Sequence, residues 1–241
     1  MYVRDCMSAP AITVTPETSF QEALRLMREH HFRRLPVVDQ KGYLAGIVSE
    51  RDLLHAAPSP VSSLSVWELN FLLSKLTIGQ IMTRSIIITT PDTPIEHAAG
   101  LMVANKIGGL PVVDDQDQVV GVVTETDIFK AFVEMLDGEE GSLRLMLDLG
   151  QERSVPWGLL QGIAERGGYV ASMGTFRTHH GDRRAVVVVG GIEEARLQEL
   201  LERYRGLLLD VYAIPQAPAP EASRPLWWPR QASLGSSPST P

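Results

Sequence analysis

Apolar and polar positions repeat along this chain at a constant offset of 75 residues. The segment Leu35–Asp52 (LPVVDQKGYLAGIVSERD) returns as Leu110–Asp127 (LPVVDDQDQVVGVVTETD), and 110 − 35 and 127 − 52 both equal 75. Apolar, glycine and acidic positions stay in register without a gap over about fifty residues. A fixed period of this kind indicates an internal duplication, so the chain contains two copies of one structural unit.

Each copy has the pattern of a β-α-β-β-α unit. In the first copy, helical spacing predicts a helix from about Ser19 to His30, with one face formed by Phe20, Ala23, Leu24, Met27 and His31. Short apolar runs predict strands at Ile12–Val14, Leu35–Val38 and Tyr43–Val48, and a second helix that opens at Ser49. The corresponding elements of the second copy are expected at Ile86–Thr89, Ile95–Asn105, Leu110–Val113, Val119–Val123 and Thr124–Leu136.

A connector and a further helix separate the two copies. Residues His55–Ser65 are rich in proline and serine, whereas Val66–Leu76 (VWELNFLLSKL) has a helical pattern with many large apolar side chains. Such a helix needs a partner surface. We expect it to pack on the copies or to contribute to a dimer contact.

The pattern changes from Gly141 onward. Alternation over Leu143–Leu149 predicts a half-buried strand. It is followed by a helix (Pro156–Arg166), a hairpin (Tyr169–Thr178 and Arg183–Val189), a helix (Ile192–Tyr204) and a last strand (Leu207–Ile214). The order βαββαβ is typical of a ferredoxin-like domain, so the fold class is α/β (α+β) with two domains. Residues 215–241 are rich in proline and serine and are predicted to be disordered, with Trp227-Trp228 as an apolar exception.

Composition and charge argue against several classes of function and partner. The 241 residues carry a formal charge of −7, which argues against nucleic acid and anionic membranes as partners. Apolar runs are much shorter than the roughly 20 residues that span a bilayer, and the N-terminus has no apolar signal core. The single cysteine, Cys6, cannot form an internal disulfide, which favours a cytoplasmic location. The sequence contains no recognisable arrangement of a nucleophile or of general acid and base residues, so we do not expect an enzyme.

The end of each duplicated segment carries the candidate chemistry. Ser49 and Thr124 stand at a strand-to-helix junction, and Asp52 and Asp127 follow three positions later. One interpretation is a helix cap, in which the hydroxyl and the carboxylate bond to backbone N–H groups. The other is a nucleotide site, in which the helix start and hydroxyl meet a phosphate while the carboxylate accepts from ribose hydroxyls. The sequence alone leaves both open.

The paired repeats, with Leu-Pro-Val-Val-Asp and a glycine–hydroxyl–aspartate ending, resemble a tandem cystathionine-β-synthase (CBS) domain pair, also called a Bateman module. The resemblance implies repeats at 1–57 and 77–137, a linker with its helix at 58–76, and two clefts that commonly bind AMP, ADP, ATP or another adenosyl ligand, with or without Mg²⁺. The positions that it places at the nucleotide are Ser8, Arg33, Arg34, Ser49, Asp52, Thr83, Gly108, Gly109, Thr124 and Asp127.

The two copies differ just before Leu-Pro. Arg33-Arg34 brings two permanent cations, whereas Gly108-Gly109 offers only backbone and space. We therefore predict that the cleft lined by the arginines holds a polyphosphate more tightly. His30-His31 and His179-His180 have no companion ligands at metal-binding spacing, so no metal site is expected.

The second domain, residues 142–214, resembles an ACT domain, a regulatory module that binds amino acids. Its first helix opens with Pro156-Trp157-Gly158, where the family's usual lead-in joins proline directly to glycine. A CBS pair followed by an ACT domain is the layout of acetoin-utilisation-type CBS proteins. The resemblance implies a non-enzymatic homodimer that senses adenine nucleotides and regulates an unknown protein. The alternatives are a structural dimerisation module with empty clefts, or amino-acid sensing by the second domain.

Overall fold

The computed structural model describes residues 1–57, 66–136, 138, 141–152 and 154–214. It divides into two compact units, Met1–Met135 and Leu136–Pro241. The predictions for residues 58–65 of the connector and for the tail at 215–241 lie outside the described residues.

The first unit contains both copies of the duplicated pattern. The first copy contributes a two-stranded antiparallel sheet of β1 and β2, and the second copy contributes the equivalent sheet of β3 and β4. The elements are α1 (Val3–Cys6), α2 (Phe20–Glu29), β1 (Arg34–Val38), β2 (Leu44–Ser49), α3 (Glu50–Ala56), α4 (Val66–Lys75), α5 (Ile78–Ile81), α6 (Ile95–Asn105), β3 (Gly109–Val113), β4 (Val119–Thr124) and α7 (Glu125–Leu136).

Helix α2 forms where the helical spacing predicts it, but it ends before His31. The helix begins after Ser19, whose hydroxyl accepts a hydrogen bond from the backbone N–H of Glu22, and it buries Phe20, Ala23 and Met27. His31, which was predicted to share that face, is exposed and lies beyond the helix end with a φ of +55°. The left-handed backbone turns the chain toward β1, so the helical spacing no longer applies at this position.

Two predicted strands are reduced to single bridges. Val14 pairs with Val37 and Thr89 pairs with Val112, each in parallel orientation, in place of the strands expected at Ile12–Val14 and Ile86–Thr89. The chain turns immediately after Val14, because the N–H of Thr15 bonds to the hydroxyl of Thr18 at 3.0 Å. Only one residue of each segment therefore stays in register with the sheet.

The two copies exchange their N-terminal helices. Helix α1 precedes the first copy, yet Val3 is fully buried against Ala98, Met102 and Leu110 of the second copy. Helix α5 does the reverse, since Ile78 packs in the core of the first copy. The segments after these helices continue the exchange through two pairs of backbone hydrogen bonds, Ser8 with Val122 and Thr83 with Ile47. Neither sheet is complete without residues that precede the other copy.

The second unit is a four-stranded antiparallel sheet in the order β6-β7-β5-β8. This is the strand order of a ferredoxin-like domain, so the predicted α/β (α+β) fold class is confirmed. Its core lies between the sheet and two helices and includes Leu145, Leu159, Val187 and Leu200. The elements are β5 (Leu143–Asp148), α8 (Trp157–Glu165), β6 (Tyr169–Arg177), β7 (Arg183–Gly190), α9 (Glu194–Leu201), a 3₁₀ turn (Glu202–Tyr204) and β8 (Leu208–Ala213).

Candidate functional site

The first unit has a cavity of about 380 Å³ beside the start of α7, here called the Thr124 pocket. Thr124 and Asp127 come from the second copy, whereas Ser8 belongs to the turn after α1 and Arg33 and Arg34 belong to the first copy. The exchange of α1 brings Ser8 here, because its backbone pairs with Val122 of β4. The pocket is therefore built jointly by the two copies.

A second cavity of about 430 Å³, here called the Ser49 pocket, lies beside the start of α3. Ser49 and Asp52 come from the first copy, and Thr83 follows the exchanged helix α5. Gly108 and Gly109 of the second copy complete the equivalent part of its wall. Both volumes lie within the range of small-molecule pockets, roughly 300–1,000 Å³.

The structure places every residue of the predicted site on the wall of at least one pocket. It also changes the premise of the predicted asymmetry, because Arg33 and Arg34 border both pockets rather than one. The reason is geometric. Arg33 and Arg34 lie at the start of β1, and this segment lines both cavities.

The hydroxyl–aspartate pairs are helix caps in this structure. Asp52 Oδ2 accepts hydrogen bonds from the Ser49 backbone N–H at 2.8 Å and from the Ser49 hydroxyl at 2.6 Å. Asp127 Oδ2 accepts the same pair from Thr124, at 2.9 and 2.7 Å. In the part of the chain that the structure describes, Oδ1 of either aspartate accepts no hydrogen bond. The cap therefore holds each carboxylate in place while one of its oxygens remains available.

Arg34 occupies the space left by the glycines of the other copy. A Cβ atom added at Gly109 would lie 2.6 Å from Arg34 Nη1, and one added at Gly108 would lie 3.2 Å from Arg34 Nη2. Arg34 Nη1 is buried without a hydrogen-bond partner among the described residues. Burial lowers the pKa of Arg34. The nearby charge of Arg33 reinforces this shift, whereas the carboxylates of Glu125 and Asp52 oppose it. A guanidinium stays charged in proteins, so the pockets share a desolvated cation.

Sequence reasoning missed several cations that line the pockets. Lys130 borders the Thr124 pocket, and Arg51 and Lys106 border the Ser49 pocket. Lys130 follows Asp127 by three positions on α7, so the same helix face presents both, and this spacing was a usable signal. His31 and Lys106 occupy equivalent positions at the 75-residue offset, and both have left-handed backbone angles. Within the described residues, no cluster of metal-ligating side chains occurs.

Comparison with known proteins identifies the family. The CBS domain model matches this chain twice, over residues 3–59 and 78–134. A CBS domain-containing protein of Dictyostelium discoideum is 31% identical over 135 residues, which cover 56% of this chain and 93% of that protein. The chain belongs to the CBS-domain family and carries a tandem CBS pair.

Other relatives carry the pair as part of a longer chain. The L-aspartate semialdehyde sulfurtransferase of Methanocaldococcus jannaschii is 37% identical over 130 residues, which cover 54% of this chain and 23% of that enzyme. The present chain thus spans less than a quarter of that relative. CBS pairs are generally regulatory modules, and in such relatives the pair accompanies an enzyme.

Solved structures of CBS pairs also match. One, in complex with 5′-methylthioadenosine and S-adenosyl-L-methionine, is 36% identical, covers 55% of this chain and 95% of its own, and has a TM-score of 0.46. CBSX2 in complex with AMP is 33% identical, with coverages of 55% and 96% and a TM-score of 0.46. A Vibrio cholerae protein assigned to acetoin utilization is 30% identical, with coverages of 56% and 93% and a TM-score of 0.48.

The described helices include none with the length and apolar character needed to cross a bilayer.

Proposed function

We propose that this protein is a regulatory sensor of adenine nucleotides, AMP, ADP or ATP, and that the nucleotides bind in the Ser49 and Thr124 pockets. The observation that carries the proposal is the repeated arrangement of a capped carboxylate, a hydroxyl and several cations around a cavity of ligand size. A nucleotide needs all three kinds of group. The CBS-domain membership of the chain supports a regulatory role.

Each group has a role that follows from its chemistry. Oδ1 of Asp52 or Asp127 accepts hydrogen bonds from the ribose hydroxyls, since Oδ2 is already engaged by the cap. Arginine and lysine side chains bind the phosphates through charge-assisted hydrogen bonds. The apolar walls take the adenine ring, with Ile12 and Phe32 in the Thr124 pocket and Ile86 and Ile107 in the Ser49 pocket.

Regulation follows from the shared walls. Because each pocket takes residues from both copies, a nucleotide binds best to one relative orientation of the copies and so increases its population. Helix α7 carries Asp127 in its first turn and ends at Leu136, the first residue of the second unit. The helix that lines a pocket is thus the element next to the second unit along the chain, and we propose this unit to be an ACT-like regulatory module.

The test is calorimetric titration of nucleotide-stripped protein with AMP, ADP, ATP and S-adenosylmethionine. Asp52→Asn and Asp127→Asn keep an oxygen for the helix cap and remove the charge and one acceptor. Losing a hydrogen bond to a charged group costs about 1.5–3 kcal/mol. We therefore expect about 10- to 100-fold weaker binding at the altered pocket.

Asp115→Ala is the matched control, because it removes an exposed carboxylate from the turn between β3 and β4. It should leave every affinity unchanged. If no adenosyl compound binds to the wild-type protein, the pairs are helix caps only and the sensor proposal is wrong. A structural dimerisation module, or amino-acid sensing by the second unit, would then replace it.

We also propose that the protein is a homodimer. Helix α7 exposes an apolar stripe at helical spacing, with Phe129 68%, Phe132 59% and Val133 57% accessible. On helix α4, Trp67 is 80% accessible and its ring lies 6.3 Å from that of Phe71. Large apolar groups exposed side by side are typical of protein contact surfaces. A second copy of the chain would cover the α7 stripe.

A further inference from the structure

Positions 34 and 109 are equivalent in the duplication, yet one is arginine and the other is glycine. Arg34 opens β1 and Gly109 opens β3. A Cβ at Gly109 would lie 2.6 Å from Arg34 Nη1 and 3.0 Å from the backbone oxygen of Val123. A side chain at position 109 would therefore displace the Arg34 guanidinium from this place. The duplicated chain therefore has a single guanidinium where strict repetition would place a pair.

This guanidinium belongs to both pockets. Arg34 lines the Thr124 pocket and the Ser49 pocket, and Nη1 is buried without a hydrogen-bond partner among the described residues. Arg33 also borders both, but its side chain is exposed, so water and salt screen its charge. Of the two arginines shared by the pockets, Arg34 is therefore the one with a guanidinium nitrogen, Nη1, that is shielded from solvent. An anionic oxygen in either pocket would supply the partner that Nη1 lacks.

The other charges differ between the pockets. The Ser49 pocket has its own Arg51 and Lys106 against Glu50 and Asp52. The Thr124 pocket has Lys130 against Glu125 and Asp127. Without Arg34, a polyphosphate keeps Arg33, Arg51 and Lys106 as cationic partners in the Ser49 pocket, but only Arg33 and Lys130 in the Thr124 pocket. The Thr124 pocket therefore depends more strongly on the shared guanidinium.

We propose that Arg34 couples the two pockets, so that a polyphosphate bound in one weakens the binding of a polyphosphate in the other. The inference rests on the proposed nucleotide-binding function and adds its regulation. The first ATP enters the Ser49 pocket and orients the guanidinium toward its phosphates. The Thr124 pocket then favours adenosyl ligands with few or no phosphates. Since a guanidinium cannot bind phosphates fully in both places, the coupling is negative and reciprocal.

The test compares ATP with adenosine by calorimetry on the full chain. ATP should bind in two steps, the second about tenfold or more weaker, which is within the usual range of coupling between sites. Adenosine should bind both pockets without coupling, because it has no phosphate to compete for Arg34. Asp52→Asn weakens the Ser49 pocket, so the Thr124 pocket should then bind its ATP more tightly than the wild type binds its second. Asp127→Asn should leave the first step unchanged.

The decisive variant is Arg34→Met, which keeps much of the side-chain length and removes the charge. We expect the first ATP to bind more weakly and the ratio of the two steps to approach that expected for independent pockets. Arg34→Lys, the matched control, should keep the coupling in part. Thermal unfolding of each variant separates a folding defect from a loss of coupling.

The outcomes distinguish this inference from the function on which it rests. Two ATP steps that are independent in the wild type, or a step ratio unchanged in Arg34→Met, would overturn the coupling and leave the sensor function standing. If the wild type binds one ATP while each aspartate variant still binds one in its remaining pocket, exclusion is complete and the coupling is supported. Binding to one aspartate variant only would overturn it. Absence of all binding would overturn both proposals.

Discussion

At the scale of single residues, the duplication is preserved where chemistry and space both require it. Gly46 and Gly121 are equivalent, and each faces a methionine that precedes the other copy. A Cβ at Gly46 would lie 2.5 Å from Met82 Sδ, and one at Gly121 would lie 2.7 Å from Met7 Sδ. These glycines are needed because the exchanged segments pack directly on the β2 and β4 backbones.

This close approach makes Gly46→Ala destabilising. Met82 is almost fully buried, so it cannot move aside freely. Overpacking of this kind costs about 1–3 kcal/mol in the free energy of unfolding. In a Met82→Ala background Sδ and Cγ are removed and only the Cβ of residue 82, at 3.2 Å, stays close to the added methyl group, so we expect the cost of Gly46→Ala to fall. A double-mutant cycle by denaturant unfolding measures this difference. Equal costs in both backgrounds would show that the two side chains do not conflict.

At the scale of elements, helix α7 has one buried face and one exposed apolar stripe. The helix buries Ala131 and leaves Phe129, Phe132 and Val133 accessible on another face. Large apolar side chains therefore lie on a face that no other described residue covers. Helix α4 has the same property at Trp67 and Phe71, whereas its Leu73 packs against the core of the first copy.

The dimer proposal predicts the effect of charges on this stripe. Phe129→Glu with Phe132→Glu should convert a dimer to a monomer, because carboxylates cannot be buried unpaired at a contact surface. Light scattering after size-exclusion chromatography measures the mass directly. Gln21→Glu with Gln198→Glu adds the same charge at exposed helix positions and should leave the mass unchanged. A wild-type protein that is monomeric at high concentration would contradict the proposal.

The sequence predicted most elements because their information is local. Helix α6 occupies the predicted range Ile95–Asn105, and α3 starts after the predicted cap at Ser49. Helices α1 and α5 were missed because four residues contain too little of a helical period to be recognised. The strand expected at Ile12–Val14 failed because a turn, rather than the apolar pattern, decides how many residues pair.

Part of the candidate site could likewise be predicted from local sequence, and part of it could not. The hydroxyl–aspartate pairs lie within four residues of each other, so a local motif could reveal them. Ser8 lines the same pocket as Thr124 because of the exchange of segments, and Arg34 fills the space over Gly109 because the two copies pack on each other. No local pattern carries that information. The candidate residues could be named from the sequence, whereas their distribution between two jointly built pockets could not.

At the scale of the whole first unit, the exchanged helices tie the stability of each copy to the other. Ile78 lies in the core of the first copy although it precedes the second, and Val3 lies in the core of the second copy although it precedes the first. A residue lost from one sequence repeat should therefore loosen the structure of the other. This is the reverse of what two independent domains would show.

Hydrogen exchange on full-length variants tests the exchange of helices. Ile78→Ala removes a fully buried side chain and should cost about 2–5 kcal/mol. Its local effect should be faster amide exchange in α2 of the first copy. Val3→Ala should accelerate exchange in α6 of the second copy instead. Val103→Ala, at an exposed position of α6, is the control and should change stability by less than about 0.5 kcal/mol. If each variant loosens the copy that its own segment precedes, the packing described here is wrong. The reciprocal pattern would show that the core of each copy depends on the helix that precedes the other copy.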